Sequence, residues 1–551
     1  LRTRAGWPAV SIVVSDLSFA YPGDADLFFE VSFKVPPGEH WGLVGENGSG
    51  KTTLLKVLAG ELEAATGDVR MGGEALYLRQ DIGFATDQTI REMLLTFAPP
   101  RLRLAGDRLA DAERRLAEGD ADAGMALGEA IGEWSELQGY AMEGRWDAST
   151  RRVLGLGIEE VTDRPVGTLS GGERKRLALD VLFASEASVL LVDEPDNYLD
   201  VPAKAWLEKL VRGSTKTVLT ISHDREYLSN ALDKIVTLES EGTWVHGGSY
   251  ATYTEARDHR QQLLGDAVER WHAEERRLYR HMKIMKQRAS LNDGNAKAAN
   301  AAESRWERFR DAGPPPPPAT TRPMRARLRG GDAARRAVTV KAAAYDGLIR
   351  PFADEVHHGE RLALIGPNGT GKTHLLRMLA GQLAPTSGQV VIGNRVEPGL
   401  FTQVNDRPDF LGVPTGEIVE RHAGNYEATM KHLARYGLER AERLRYDSLS
   451  GGQKARLEIL NLELAGHNLL LLDEPTDNLD IESSESLEGA LDGFEGTVIS
   501  VSHDRTFLEA QDRFWLLDAD GRMTELTDWP SAYDALLTGR LAKTARPLGG
   551  G

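Results

Sequence analysis

One ordered set of four short motifs occurs twice in this chain, and that repeat is its strongest constraint on folding. The first copy has GENGSGKT (45–52), LSGGE (169–173), VLLVDEPDNYLD (189–200) and TISHD (220–224). The second has GPNGTGKT (366–373), LSGGQ (449–453), LLLLDEPTDNLD (469–480) and SVSHD (500–504). A glycine-rich loop between an apolar strand and a helix presents backbone N–H groups to phosphate at a helix N-terminus. A single loop of this kind is moderately specific. Two loops, each followed by the same three motifs in the same order, make a chance glycine turn untenable. The pattern predicts an α/β fold: two P-loop nucleotide-binding domains in tandem, each a mostly parallel sheet with both faces covered.

Each motif assigns residues to a phosphate site. The loop residues are Gly45, Asn47, Gly48, Gly50, Lys51, Thr52 and Thr53, and in the second copy Gly366, Asn368, Gly369, Gly371, Lys372 and Thr373. Lys51 and Lys372 are expected at the β- and γ-phosphates of ATP, with the Thr52 and Thr373 hydroxyls on Mg2+. The apolar runs before DEP read as buried strands ending in paired acids. Asp193 and Asp473 are the expected Mg2+ partners, and Glu194 and Glu474 the groups that polarise attacking water. His223 and His503 follow apolar strands and suit sensing of γ-phosphate. Gln80 and Gln403 are read as lateral glutamines near the metal. Tyr21 is a candidate to stack on adenine, with Tyr345 its nearest analogue at a different spacing.

Ser170, Gly171 and Gly172, like Ser450, Gly451 and Gly452, would present a hydroxyl and N–H groups at a helix N-terminus. Each module already has its own P-loop, so these groups need an ATP bound elsewhere. Head-to-tail pairing meets that need. ATP on 45–52 would be closed by Ser450–Gln453, and ATP on 366–373 by Ser170–Glu173, with Asp200 and Asp480 along the seam. Neither site lacks Lys, the acid pair or His, so two hydrolytic sites are expected.

The chain has 551 residues and no cysteine, which excludes disulfides and thiolate metal sites. No stretch approaches the roughly 20 apolar residues of a membrane helix, and the first residues lack a signal-peptide pattern. Formal net charge is −17. Residues 255–336 nevertheless hold 19 Lys or Arg against 11 Asp or Glu, a local +8 that leaves −25 elsewhere. A basic middle segment suits contact with a polyanion, and equally a solvated helical linker.

The expected organisation is a first nucleotide-binding domain over 10–254 with a helical insertion near 101–150, a basic helical linker over 255–337, a second domain over 338–540, and a disordered tail over 541–551. The linker reads as helices over 255–290 and 296–311. Trp271, Leu278, Met282 and Met285 form a packed stripe, and Pro314–Pro318 end the second helix. The insertion reads as two helical runs around a Gly/Asp-rich break, either a projecting hairpin or an enlarged subdomain.

With these motifs in place, the chain resembles the ABC-F group of ATP-binding cassette proteins over about 10–540. Two cassettes on one chain, no membrane domain, a helical linker and LSGGE before LSGGQ carry the resemblance, as does GGSYATY (247–253). The resemblance implies a cytoplasmic, monomeric ATPase that binds the 70S ribosome and directs its linker toward P-site tRNA and ribosomal RNA. Such proteins regulate translation, rescue stalled ribosomes or protect ribosomes from antibiotics. Lys286, Arg288, Asn292, Asn295 and Lys297 would lie nearest RNA. The sequence departs from the family's TNHLD: Asp196 replaces threonine, and Tyr198 and Asn478 replace histidine. Glu173 stands where Gln453 does in the second copy. The alternative is the ATPase subunit of an exporter with separate membrane subunits.

Overall fold

A computed structural model describes residues 11–23, 26–80, 87–120, 123–239, 242–291, 295–318, 324–331, 333–402 and 407–549. In the first half, strands Ala75–Leu78, Val189–Asp193, Thr217–Ile221, His40–Val44 and Lys234–Glu239 lie side by side in that order and run parallel, with Gly242–His246 antiparallel at the edge. The strands Val189–Asp193, Thr217–Ile221 and His40–Val44 are buried along their whole length. Their continuous apolar runs are what a parallel sheet covered on both faces requires. A three-stranded antiparallel sheet, with Ile12–Ala20 between Asp26–Val35 and Thr66–Met71, covers one face.

The second half repeats this plan. Its main sheet runs Pro398–Phe401, Leu469–Asp473, Thr497–Val501, Arg361–Ile365 and Arg513–Leu517 in parallel, then Met523–Leu526 antiparallel. The expected architecture of two tandem nucleotide-binding domains joined by a helical linker is the one observed.

A seventh strand, Arg546–Pro547, extends this sheet and corrects the expectation of a disordered tail. Leu548 is buried in the core of the second half. Arg546 pairs with Asp354 at 3.1 Å and Glu525 at 2.6 Å. Tertiary partners and the backbone bonds of Leu548 with Met523 and Ala353 hold so short a polar strand, and no local pattern announces them.

The insertion forms helices Pro100–Ala117 and Ala123–Glu136, packed against each other and followed by Gly139–Leu154. Leu102, Ala105, Leu109, Ala130, Trp134 and Trp146 join the core of the first half. The inner face of this hairpin is therefore part of the domain.

The linker's first helix, Tyr250–Leu291, begins five residues before the expected start. Tyr250 and Tyr253 are buried in the first half's core, so the helix grows out of that domain without a hinge loop. The second helix, Ala296–Asp311, packs back along it. Trp271 stacks on Phe309 at 5.4 Å, and Leu278 and Met282 are buried between the helices' neighbours as the stripe predicts. Past the proline run, Met324 and Leu328 already sit in the core of the second half. The linker thus gives way to the second domain earlier than residue 337.

Asp354 anchors the edge of that domain. It accepts from Arg513 at 2.7 Å, the Trp515 indole at 2.8 Å and Arg546 at 3.1 Å. Asp354→Ala takes the acceptor from the buried Trp515 indole and one of several acceptors from Arg513 and Arg546, and is expected to cost about 1–3 kcal/mol, read as an earlier urea transition of the second domain.

Candidate functional site: two composite phosphate sites

Both P-loops, both LSGG helix starts and both DEP turns line one cavity of about 1060 Å3 between the domains. The pairing is head to tail. Asn47 of the first P-loop reaches the Asn478 carbonyl at 3.5 Å, and Asn368 of the second donates to the Tyr198 carbonyl at 3.1 Å. A Cβ on Gly452 would lie 2.8 Å from the Asn47 amide and 2.8 Å from the Asn478 carbonyl; one on Gly172 would meet the Tyr198 carbonyl at 3.3 Å. At Gly452 a side chain would force the backbone apart, and at Gly172 it would crowd it, which explains the residue type at these positions of the signature.

The P-loops are built alike. Gly45 and Gly366 hold φ of 154° and 149°, and a Cβ there would come within 2.7 Å and 2.2 Å of the Leu238 and Leu517 carbonyls. Lys51 donates to the carbonyls of Gly45 (2.7 Å) and Glu46 (2.9 Å), and Lys372 to those of Gly366 and Pro367, both at 2.9 Å. Each lysine is thus folded over its own loop, its pKa lowered chiefly by burial. Helices Lys51–Leu58 and Lys372–Leu379 follow directly, so N–H groups at both N-termini face the cavity.

The metal fit is tested by Asp193. It is fully buried, which pushes its pKa up, has Thr52 close enough to offset part of that push and accepts from Tyr77 at 3.2 Å, yet its Oδ1 has no protein partner. Asp473 is likewise pushed up by burial, with Thr373 close enough to lower its pKa in part. A buried carboxylate oxygen beside a threonine hydroxyl and a phosphate loop suits a hard divalent cation such as Mg2+.

Glu194 and Glu474 adopt left-handed φ of 46° and 51°, uncommon for a side-chain-bearing residue and repeated in both copies. Glu194 takes 2.5 Å hydrogen bonds from the amides of Gln80 and Asn197. Burial, then Asp193 and Asp196 nearby, pushes it up to about 7. Glu474 accepts the His503 backbone N–H at 2.9 Å and is pushed well up by burial, then by Asp477 and Asp473. Burial first, then Lys51, pushes His223 down to about 3; burial, then Lys372 and Lys204, lowers His503. Both imidazoles are neutral at pH 7. His503 Nε2 lies 2.9 Å from Asn368 Oδ1. Because the Asn368 amide donates to Tyr198, its oxygen must accept from His503, which selects the Nε2–H tautomer. Tyr198, Asn368 and His503 therefore form a hydrogen-bonded chain across the seam.

Ser170 and Ser450 cap helices Gly171–Ala184 and Gly451–Ala465. Tyr21 lies 3.1 Å from the Thr53 hydroxyl and lines the cavity; Tyr345 packs on His374 at 5.2 Å. The site residues expected from sequence are thus brought together, except Gln403, which lies outside the described residues.

The seam holds a second set of charges that motif reading overlooked. Arg225 bonds Glu488 across the domains and lies 3.6 Å from Asp504. Its counterpart Arg505 pairs with Glu208, with Glu226 at 2.9 Å and with Asp224 at 3.5 Å. The signal was available: HDR recurs after both strands, and a glutamate follows each seam aspartate by eight residues. A third bridge joins linker Arg257 to Glu482.

Two nucleotide-type sites, each completed by the opposite domain, define a tandem ATP-binding cassette architecture. A model of the family described as "ABC transporter" matches residues 28–197 and 350–477. An "Antibiotic resistance protein" of Mycobacteroides abscessus is 41% identical, covering 92% of this chain and 97% of that protein. The "Tylosin resistance ATP-binding protein TlrC" of Streptomyces fradiae is 34% identical over 88% and 92%, and "ABC transporter F family member 5" of Arabidopsis thaliana 30% over 87% and 71%. Among solved structures, the fold is like that of an archaeal ribosome recycling factor, aABCE1, crystallised with ribosomal stalk protein aP1 (20% identity, 97% of this chain and 95% of that one, TM-score 0.55). The chain belongs to the ABC transporter family and is an ABC-F-like ATP-binding protein. Domains of this family imply ATP and Mg2+ binding and ATP hydrolysis.

Asn368→Ala breaks the chain from Tyr198 to His503. With Glu194→Gln silencing the other site, it is expected to lower ATP turnover about tenfold, measured as phosphate release.

Proposed function

We propose that the protein is an ATPase whose two cassettes close over ATP to create a ribosome-binding form and open after hydrolysis to release it. The carrying observation is that two composite sites share one seam, and the long basic linker is rooted at that seam. Lys51 and Lys372 neutralise phosphate charge, Thr52 with Asp193 and Thr373 with Asp473 hold Mg2+, and the LSGG helix starts close each site from the opposite cassette. Mg2+ supplies charge neutralisation on the phosphates. Glu194 and Glu474 orient water and accept its proton. The water oxygen bonds to the γ-phosphorus while the bond to the β,γ-bridging oxygen breaks, and ADP leaves with that electron pair. His223 and His503, with Gln80 and Gln403, report the γ-phosphate to the seam.

The linker is placed to follow that event. Arg257, two turns along its first helix, pairs with Glu482, two residues after the seam Asp480. Of the residues expected nearest RNA, Arg288 and Lys297 are exposed, Lys286 is paired with Glu303, and Asn295 is half-buried with its amide on the Arg288 carbonyl at 3.5 Å; Asn292 lies outside the described residues. The names of the two resistance relatives support antibiotic resistance as the biological role. Among the described residues, no helix is long and apolar enough to cross a membrane.

The Glu194→Gln, Glu474→Gln double variant is expected to cosediment with 70S ribosomes in ATP and not in ADP. Absence of ATP-dependent trapping, with nucleotide binding verified, would sink this function. Arg257→Glu is expected to weaken trapping about tenfold while leaving nucleotide affinity within twofold, and Arg257→Glu combined with Glu482→Arg to restore it.

A further inference from the structure

We propose that Asp477 makes the two sites unequal, holding the site of Lys372 and Glu474 to slower hydrolysis than the site of Lys51 and Glu194. The inference rests on the reading of both glutamates as water-orienting groups.

The two DEP turns are superposable in their bonding. The backbone N–H of Asn197 meets the Glu194 carbonyl at 3.4 Å, and that of Asp477 meets the Glu474 carbonyl at 3.2 Å. The side chain at this position therefore stands beside the glutamate in each copy. In the first copy it is an amide, whose Nδ2 donates to Glu194 Oε2 at 2.5 Å and fixes the carboxylate. In the second it is a carboxylate, which has no N–H to give. Nearby charge does not separate the copies, since Asp196 stands near Glu194 as Asp477 stands near Glu474; the missing amide donor does. Glu474 thus lacks the side-chain donor that Asn197 gives Glu194, and the His503 backbone N–H is the donor that reaches it.

The signature that closes this site departs in the same direction. Ser170 donates its hydroxyl to Glu173 Oε2 at 2.7 Å, so that proton is turned into the capping box. In the other signature, Gln453 Oε1 accepts only the Ser450 backbone N–H among the bonds of that box, at 3.0 Å, and the Ser450 hydroxyl accepts from the Gln453 N–H. Ser170 faces the second P-loop, where Gly172 lies beside Asn368. Both departures bear on one site.

Lys204 explains how the extra acid is tolerated. It is buried, pairs with Asp224 at 3.0 Å, and lines the same cavity as Asp477. The equivalent position in the second cassette is Ser484, so the cation is supplied once, from the first cassette. Asp477 is compensated only while the cassettes are together. The slow site is in this way also a site that favours closure with ATP retained.

The test uses the full chain in five forms, one of them the Glu194→Gln, Glu474→Gln double variant as the inactive reference. Glu194→Gln leaves the Glu474 site active, and Glu474→Gln leaves the Glu194 site active. Asp477→Asn is added to the first and Asn197→Asp to the second. Each is followed by single-turnover hydrolysis, by the ATP-to-ADP ratio retained after rapid desalting, and by ATP affinity. Asp477→Asn is expected to speed its site about tenfold at unchanged affinity and to lower the retained ATP fraction, and Asn197→Asp to slow the other site comparably. Equal rates at the two sites, or no response of rate and retained ATP to Asp477→Asn, would overturn the proposal even if Asn197→Asp merely disturbed folding. Full turnover in the Glu194→Gln, Glu474→Gln double variant would overturn the assignment of the glutamates and the proposal with it. Loss of turnover there, with equal single-site rates, would overturn the proposal alone.

Discussion

The contact between the cassettes combines apolar anchors, Val201 and Ile481 each buried in the other cassette's core, with a set of ion pairs, and everything at the phosphate sites depends on its register. Arg505 is almost completely enclosed, yet it meets Glu208, Asp224 and Glu226 from the other cassette. Arg225 answers with Glu488 and Asp504. Buried ion pairs gain little over apolar packing, because desolvation offsets much of the attraction. Separating one partner from the other is costly in a way that sliding an apolar face is not. Such a seam therefore selects one alignment. That alignment sets Gly452 against Asn47 and Gly172 against Asn368, where a shift of an ångström would misplace both helix starts.

Most of the catalytic constellation was legible in the residues because P-loop chemistry is local. A strand, a glycine turn and a helix N-terminus lie within a few consecutive residues, and their physics needs no distant partner. The buried runs before Asp193 and Asp473 were equally plain. What escaped were features defined by distant contacts. The tail strand Arg546–Pro547 depends on Asp354 and Glu525, and the early start of the linker helix depends on Tyr250 and Tyr253 finding the first cassette's core. Asp477 was visible as a letter, but its meaning rests on the bond that Asn197 makes to Glu194.

The pseudo-symmetry is close in backbone and loose in charge. Left-handed φ recurs at Glu194 and Glu474, and again at Tyr198 and Asn478, both 67°. Strain repeated in both copies belongs to the shared architecture. Against that common frame, Lys204 faces Ser484, Asp196 faces Thr476 and Glu173 faces Gln453. Duplication supplied two equal frames, and substitution within them gave the halves different electrostatics.

The first linker helix has 42 residues and begins inside the cassette core without a flexible joint. At 1.5 Å per residue it is a rod of about 60 Å, so a rotation of about 10° at its root sweeps its far end through about 10 Å. Motions too small to notice at a phosphate group become, at that end, displacements the size of a nucleotide.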